Sequence, residues 1–252
     1  VDITLRGLFM PPLKLLFIRH AQSTGNVEKR MQGHGDYELT PLGQEQAARL
    51  GQRLLQENWC PTQVYTSPLQ RAIQTTAILL QAFPSEPLPG IIGDLTDVDA
   101  PLAPVVSRPI AIESVPELAE YQNGIFQGLT WPEAQTRYPE LCHRLEQSPD
   151  WIPIPGGETL EAARDRARRF IQRLLEHHSN GDQLWIVSHS WIIQHLIAEL
   201  LGCDRSWRLR AHNTALFEFW IDHSRWHRQD HSRFNTDLWQ IRRFNDDQHL
   251  QL

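Results

Sequence analysis

Leu13-Lys14-Leu15-Leu16-Phe17-Ile18-Arg19-His20-Ala21-Gln22-Ser23-Thr24-Gly25-Asn26 begins as a short, almost wholly apolar run and turns polar at Arg19-His20. Such a run reads as a strand covered on both faces. A charged pair at its end, followed by small polar residues, reads as chemistry presented at the carboxyl edge of an α/β sheet. The rest of the chain must supply the partners.

Working outward, Thr40-Pro41 predicts a helix start, with Thr as N-cap and Pro preorganised for the first helical position. Ala47, Leu50 and Leu54 then recur at helical spacing to about Glu57. Gln63–Thr66 reads as a short strand. Ser67 and Gln70 have capping-box spacing, which predicts a helix from Pro68 with Arg71 in its first turn. Phe83–Arg108 carries five prolines and reads as a long insertion over the site or as a surface loop. Ile110–Ile112 is a third strand candidate, and Trp131–Tyr138 a short helix. A long helix is expected from about Glu158 to His178. Its arginines (Arg164, Arg166, Arg168, Arg169, Arg173) read as a solvated face. Gln183–Val187 is a further strand, ending in Ser188-His189-Ser190 and followed by a helix to Gly202. Two alternating segments, 216–221 and 238–242, predict a terminal hairpin. His223, His227 and His231 fall in the segment between them, so they read as residues of a solvated loop rather than a metal site.

Composition narrows the classes. The chain has 252 residues, 40% hydrophobic and 21% charged, enough for one large α/β domain. A net charge of −6 argues against nucleic acid as a partner, although a local basic anion site fits within an acidic surface. Cys60, Cys142 and Cys203 form no close pair and read as reduced thiols, which predicts a cytoplasmic protein. No run approaches a membrane span. Val1–Pro12 has no secretory pattern and reads as an N-terminal extension, with Met10 an alternative start.

Three strand-to-helix joints therefore deliver Arg19-His20, Arg71 and His189, and the segment with Glu117 and Glu120 supplies a fourth. Parallel strands bring such joints to one edge. Arginine forks bind phosphate oxygens, and helix N-termini at Ser23 and Ser67 would add N–H donors. A neutral histidine can attack phosphorus, while a carboxyl group protonates the leaving oxygen.

These residues carry a resemblance. Arg19-His20-Ala21-Gln22-Ser23-Thr24-Gly25-Asn26 resembles the R-H-G-[E/Q]-[S/T]-x-x-N signature of the histidine phosphatase superfamily, the phosphoglycerate mutase-like proteins. Leu39-Thr40-Pro41-Leu42-Gly43 resembles its L-[T/S]-x-x-G helix start, and Ser67-Pro68-Leu69-Gln70-Arg71-Ala72 its S-P-L-x-R-A segment. Leu118-Ala119-Glu120, Gly156-Gly157-Glu158-Thr159 and Ser188-His189-Ser190 follow in family order. The resemblance spans about residues 13–220 and departs from the pattern at Ala21, Ser190, Phe126 and Gln127.

The resemblance implies a three-layer α/β/α fold with a mostly parallel central sheet. The domain would cover 13–252, with an inserted cap at about 84–158. It implies His20 as phosphoryl acceptor and Arg19, Arg71 and His189 as phosphate ligands. Glu120 would be the proton donor, with Ser23 and Asn26 completing the substrate pocket. It implies hydrolysis of a phosphomonoester, a small molecule or a phosphoprotein, with no metal and no cofactor. A phosphoglycerate mutase is the alternative. Tyr121-Gln122 stand where that branch carries Arg-His, which favours the hydrolase. A binding protein on the same fold is the alternative of another class. Specificity is expected from the loop around His34, the 84–108 insertion and the Tyr121–Trp131 segment.

Overall fold

The computed structural model describes residues 10–83 and 110–251. The 84–108 insertion and most of the N-terminal extension lie outside them. Six strands form one sheet: β1 (Leu13–Arg19), β2 (Gln63–Thr66), β3 (Ala111–Ser114), β4 (Gln183–Ser188), β5 (Leu216–Ile221) and β6 (Trp239–Asp246). Their order is β3-β2-β4-β1-β5-β6. The first four are mutually parallel, and β5 runs antiparallel to both β1 and β6.

The opening run is a central strand. Leu13, Leu15 and Phe17 point into a core with Phe170, Ile171 and Leu174 of α6 (Leu160–His177) and Ile192, Ile193 and Leu196 of α7 (Ser190–Leu200). Leu16 and Ile18 point the other way, against Leu50 and Leu54 of α2 (Pro41–Gln56) and Ala72 and Leu79 of α3 (Gln70–Gln81). The period-2 alternation of a strand thus feeds two helical layers. Each fully buried Leu or Phe contributes roughly 1.5–3 kcal/mol by leaving water. The three-layer α/β/α architecture read from the sequence is present.

Local signals explain most boundaries. Thr40 Oγ1 accepts from Gly43 N at 3.0 Å and caps α2. Thr159 caps α6 in the same way. Three expectations need correction. Ser67 does not cap α3: the helix starts two residues later, with Leu69 as a cap lacking a side-chain bond. Ser67 instead lies fully buried at the end of β2. The arginines of α6 are not uniformly solvated, because Arg166 is buried and Arg164 binds Glu199, Ser206 Oγ and the Cys203 carbonyl. A further helix, α5 (Pro139–Gln147), follows α4 (Trp131–Arg137), with α1 (Thr24–Val27) a single turn near the start. Phe126, Leu129, Ala134 and Cys142 form a small separate core around α4 and α5.

Asp222 and Asp230 cap two short 3-10 turns in the loop between β5 and β6, and His223 bonds the Leu175 carbonyl. No helix among the described residues is long and apolar enough to cross a membrane.

Candidate active site

The carboxyl ends of β1, β2, β3 and β4 share one edge of the sheet, and the histidines, arginines and glutamate read from the sequence lie there. His20 follows β1, Arg71 stands in the first turn after β2, Glu120 follows β3 and His189 follows β4. A cavity of about 340 Å³ opens at this edge, lined by Arg19, His20, Asn26, Arg71, Glu120 and Trp191 among others. Glu117, the competing carboxylate, does not line it.

His20 is 2% exposed. Its Nδ1 lies 2.7 Å from the Ala21 carbonyl, which can only accept, so Nδ1 carries the proton and Nε2 keeps a lone pair. Burial, then the charges of Arg71 and Arg19, hold the His20 pKa well below its ordinary value. The ring is therefore neutral near pH 7. Ala21 N donates to Thr75 Oγ1, which fixes the turn, and Ala21 is absent from the non-glycine residues with positive φ. The change from glycine therefore costs no backbone strain.

The two arginines spend some donors on the protein and keep others. Arg19 Nη1 donates to Ala211 O at 2.6 Å, and Arg71 donates to Gly35 O and Gly33 O at 3.1 and 2.8 Å. Both Nε groups are buried with no partner among the described residues. Desolvation lowers the Arg71 pKa to about 10, which leaves it charged at neutral pH.

His189 lies 5.0 Å from His20 between ring centroids. Its Nε2 is 2.7 Å from Ser67 Oγ, which accepts from Leu69 N. In the tautomer in which Ser67 donates to Nε2, His189 Nδ1 carries the ring proton and is a donor. That atom also has no partner among the described residues. Burial and the neighbouring Arg71 keep this ring neutral as well. Unpaired buried donors at one end of a cavity are costly unless an anion takes them.

Glu120 is fixed by the backbone. Its carboxylate accepts from Tyr121 N at 3.0 Å, and from Ile192 N and Trp191 N in the first turn of α7 at 3.2 and 3.3 Å. Asn26 lines the cavity, but Ser23 does not. Ser23 is fully buried, donates to Gln32 Oε1 at 2.8 Å and caps α1 through Asn26 N. Its hydroxyl is thus spent on Gln32 and on the turn that carries Asn26. His34, expected near the specificity region, is exposed and bonds the Glu120 carbonyl through Nε2 at 2.8 Å.

Asn213 went unread in the sequence. It precedes β5 and donates to His20 O and Asn26 Oδ1, both at 3.1 Å. No motif marks it, since it enters the site on the one strand that runs the other way. Among the described residues no group of three His, Cys, Asp or Glu gathers as a metal site.

The chain is similar to known proteins in sequence and in fold. The sequence model of the histidine phosphatase superfamily (branch 1) matches residues 15–92 and 101–232. Phosphoglycerate mutase-like protein 4 of Arabidopsis thaliana is 28% identical over 239 residues, 94% of this chain and 87% of that protein. Phosphoserine phosphatase 1 of Hydrogenobacter thermophilus is 26% identical over 194 residues, covering 77% and 79%. The crystal structure of the alpha-ribazole phosphatase from Shigella flexneri superposes with a TM-score of 0.64 at 25% identity, covering 93% of this chain and 96% of that one.

Proposed function

The chain belongs to the histidine phosphatase superfamily (branch 1), and from that membership we propose a two-step hydrolysis of a phosphomonoester through a phosphohistidine at His20. The observation that carries the proposal is a buried, neutral His20 whose Nε2 is free, lining one cavity with the charged forks of Arg19 and Arg71. The enzyme class is phosphoric monoester hydrolase.

In the first step His20 Nε2 forms a bond to phosphorus as the bond to the ester oxygen breaks. The proton for that oxygen comes from Glu120. Arg19, Arg71 and His189 Nδ1 stabilise the charge on the three remaining oxygens, the work a metal ion does in other phosphoryl transfers. Asn26 adds a polar contact, while Asn213 holds both Asn26 and the His20 backbone. In the second step Glu120 takes a proton from water, the oxygen bonds to phosphorus, and the bond to Nε2 breaks. His20 and Glu120 return to their starting states with inorganic phosphate as product.

The substrate is read as a phosphorylated small molecule, with a phosphoprotein as the wider option. Its organic part would meet Tyr121, Asn123, Met31 and Trp191 on the cavity wall. The Tyr121 and Trp191 rings lie 4.4 Å apart there. The mutase alternative is not favoured, because Tyr121-Gln122 replace the Arg-His pair beside the acid. We read the small core of Phe126, Leu129, Ala134 and Cys142 as part of a cap on a single domain. Unpaired Cys60, Cys142 and Cys203 support a cytoplasmic location.

The test is phosphate release from a panel of phosphomonoesters in the presence of a metal chelator. Inorganic phosphate from at least one ester is the expected result. Interconversion of phosphoglycerates without phosphate release would replace this reading with the mutase.

A further inference from the structure

The mechanism needs Glu120 held at one point over the ester oxygen, yet Glu120 sits on a loop after a 3-10 turn, Pro116–Leu118. A residue outside the mechanism fixes that loop. Arg166 lies in the second turn of α6, with a side chain only 10% exposed. Its fork meets the Glu158 carboxylate twice, Nε to Oε1 at 2.6 Å and Nη2 to Oε2 at 2.9 Å. Nη1 donates to Glu117 O at 2.7 Å and to Ala119 O at 2.6 Å, and Nη2 donates to Glu120 O at 3.3 Å. All five donors of the guanidinium are therefore used. The one carbonyl skipped, Leu118 O, is taken by Ser188 Oγ at 2.7 Å. The chain from Glu117 to Glu120 is thus held carbonyl by carbonyl, while α7 holds the Glu120 carboxylate from the other side.

We propose that Arg166 is a positioning residue for Glu120, its charge balanced by Glu158 and its donors setting the backbone from which the proton donor reaches the leaving oxygen. The proposal rests on the reading of Glu120 as proton donor. Stability alone does not require this pair, because well-packed apolar groups often replace a buried ion pair without loss. Apolar groups could not satisfy three loop carbonyls. Lysine keeps the charge but lacks the planar fork that reaches several acceptors at once.

Two variants test it. Arg166→Lys keeps a charge opposite Glu158. The double change Glu158→Gln with Arg166→Met removes both charges and leaves neither unpaired. Each is assayed by kcat/KM, which covers the steps through cleavage of the ester bond. The substrates are p-nitrophenyl phosphate, whose leaving group needs no proton, and an alkyl monophosphate, whose leaving group does. In both variants the alkyl substrate is expected to lose at least about tenfold more than the aryl one, the pattern also expected of Glu120→Gln. Adding Arg166→Lys to Glu120→Gln is expected to cost less than about twofold more on the alkyl substrate, because both changes act through one group. Equal losses on the two substrates, losses that multiply with Glu120→Gln, or loss of a cooperative melt in both variants would overturn the proposal. A wild-type protein that cleaves neither ester would overturn the phosphatase reading together with it. A wild-type protein that cleaves both, with variants that lose equally, overturns the positioning role alone.

Discussion

His20 and His189 are held neutral by burial and by two nearby guanidinium groups. This suits a nucleophile, and it has a consequence for stability. His195 and His249 are also buried, and desolvation brings each to a pKa of about 4. All four titrate lower in the folded chain than in the unfolded one, where histidine has its ordinary pKa of about 6.5. Below that value the unfolded chain binds more protons, so stability is full above pH 6.5 and is lost as pH falls toward the folded pKa values. Between pH 6.5 and 5.5 each such histidine costs about 1 kcal/mol. Urea melts across this window are expected to show a steep fall, and a flat profile would contradict the neutral assignment. Legibility at this scale followed chain direction. His20, Arg71 and His189 could be read because each follows a strand that ends at the same edge. Asn213 precedes an antiparallel strand, and Ser67 imitates a helix cap while serving His189. Arg166 carries the spacing of a solvated face, yet the Glu117–Glu120 loop folds over it.

At the scale of elements, the site is built where the turn after β1 meets the start of α2. Gln22 N donates to Gln46 Oε1, Thr40 N donates to Gln22 O, and Thr40 Oγ1 donates to Gln22 Oε1. The absence of a side chain at Gly43 permits this approach: a Cβ there would lie 2.0 Å from Gln22 O, a backbone atom that cannot swing away. Gly43→Ala is therefore expected to destabilise the fold by about 1–3 kcal/mol. That is a fall in Tm of roughly 2–4 °C per kcal/mol for a chain of this size. It should also lower kcat/KM, because Gln22 lies two residues from the nucleophile. An alanine variant with unchanged melt and activity would show that this contact does not constrain the turn. Gly124 makes a second close approach with φ of +54°, against Pro155 O and Gly157 N, and ties the site loop to the strap before α6. The L-T-P-L-G pattern was legible as a helix start. Its glycine could be explained only once Gln22 was seen against it. Helix α5 was not legible, because Tyr138 with its φ of −136° separates it from α4 by a single residue and the periodicity restarts.

For the whole molecule, the alternation in the opening run and the helices after each strand made the three layers legible. The strand order was not, since β4 inserts between β2 and β1 through pairings more than a hundred residues apart in sequence. That insertion brings His189 beside His20. The sheet edge then presents one neutral histidine, two guanidinium cations and one carboxylate to a single cavity. The proposed reaction turns on transfer of the phosphoryl group to His20. Brief incubation with a turned-over phosphomonoester carrying labelled phosphate, followed by quenching in base, tests it most directly. The expected result is a base-stable, acid-labile phosphoprotein with the label on His20 by peptide mapping, and no label in His20→Ala. Turnover without a labelled intermediate, a label on another residue, or a His20→Ala protein of undiminished activity would contradict it.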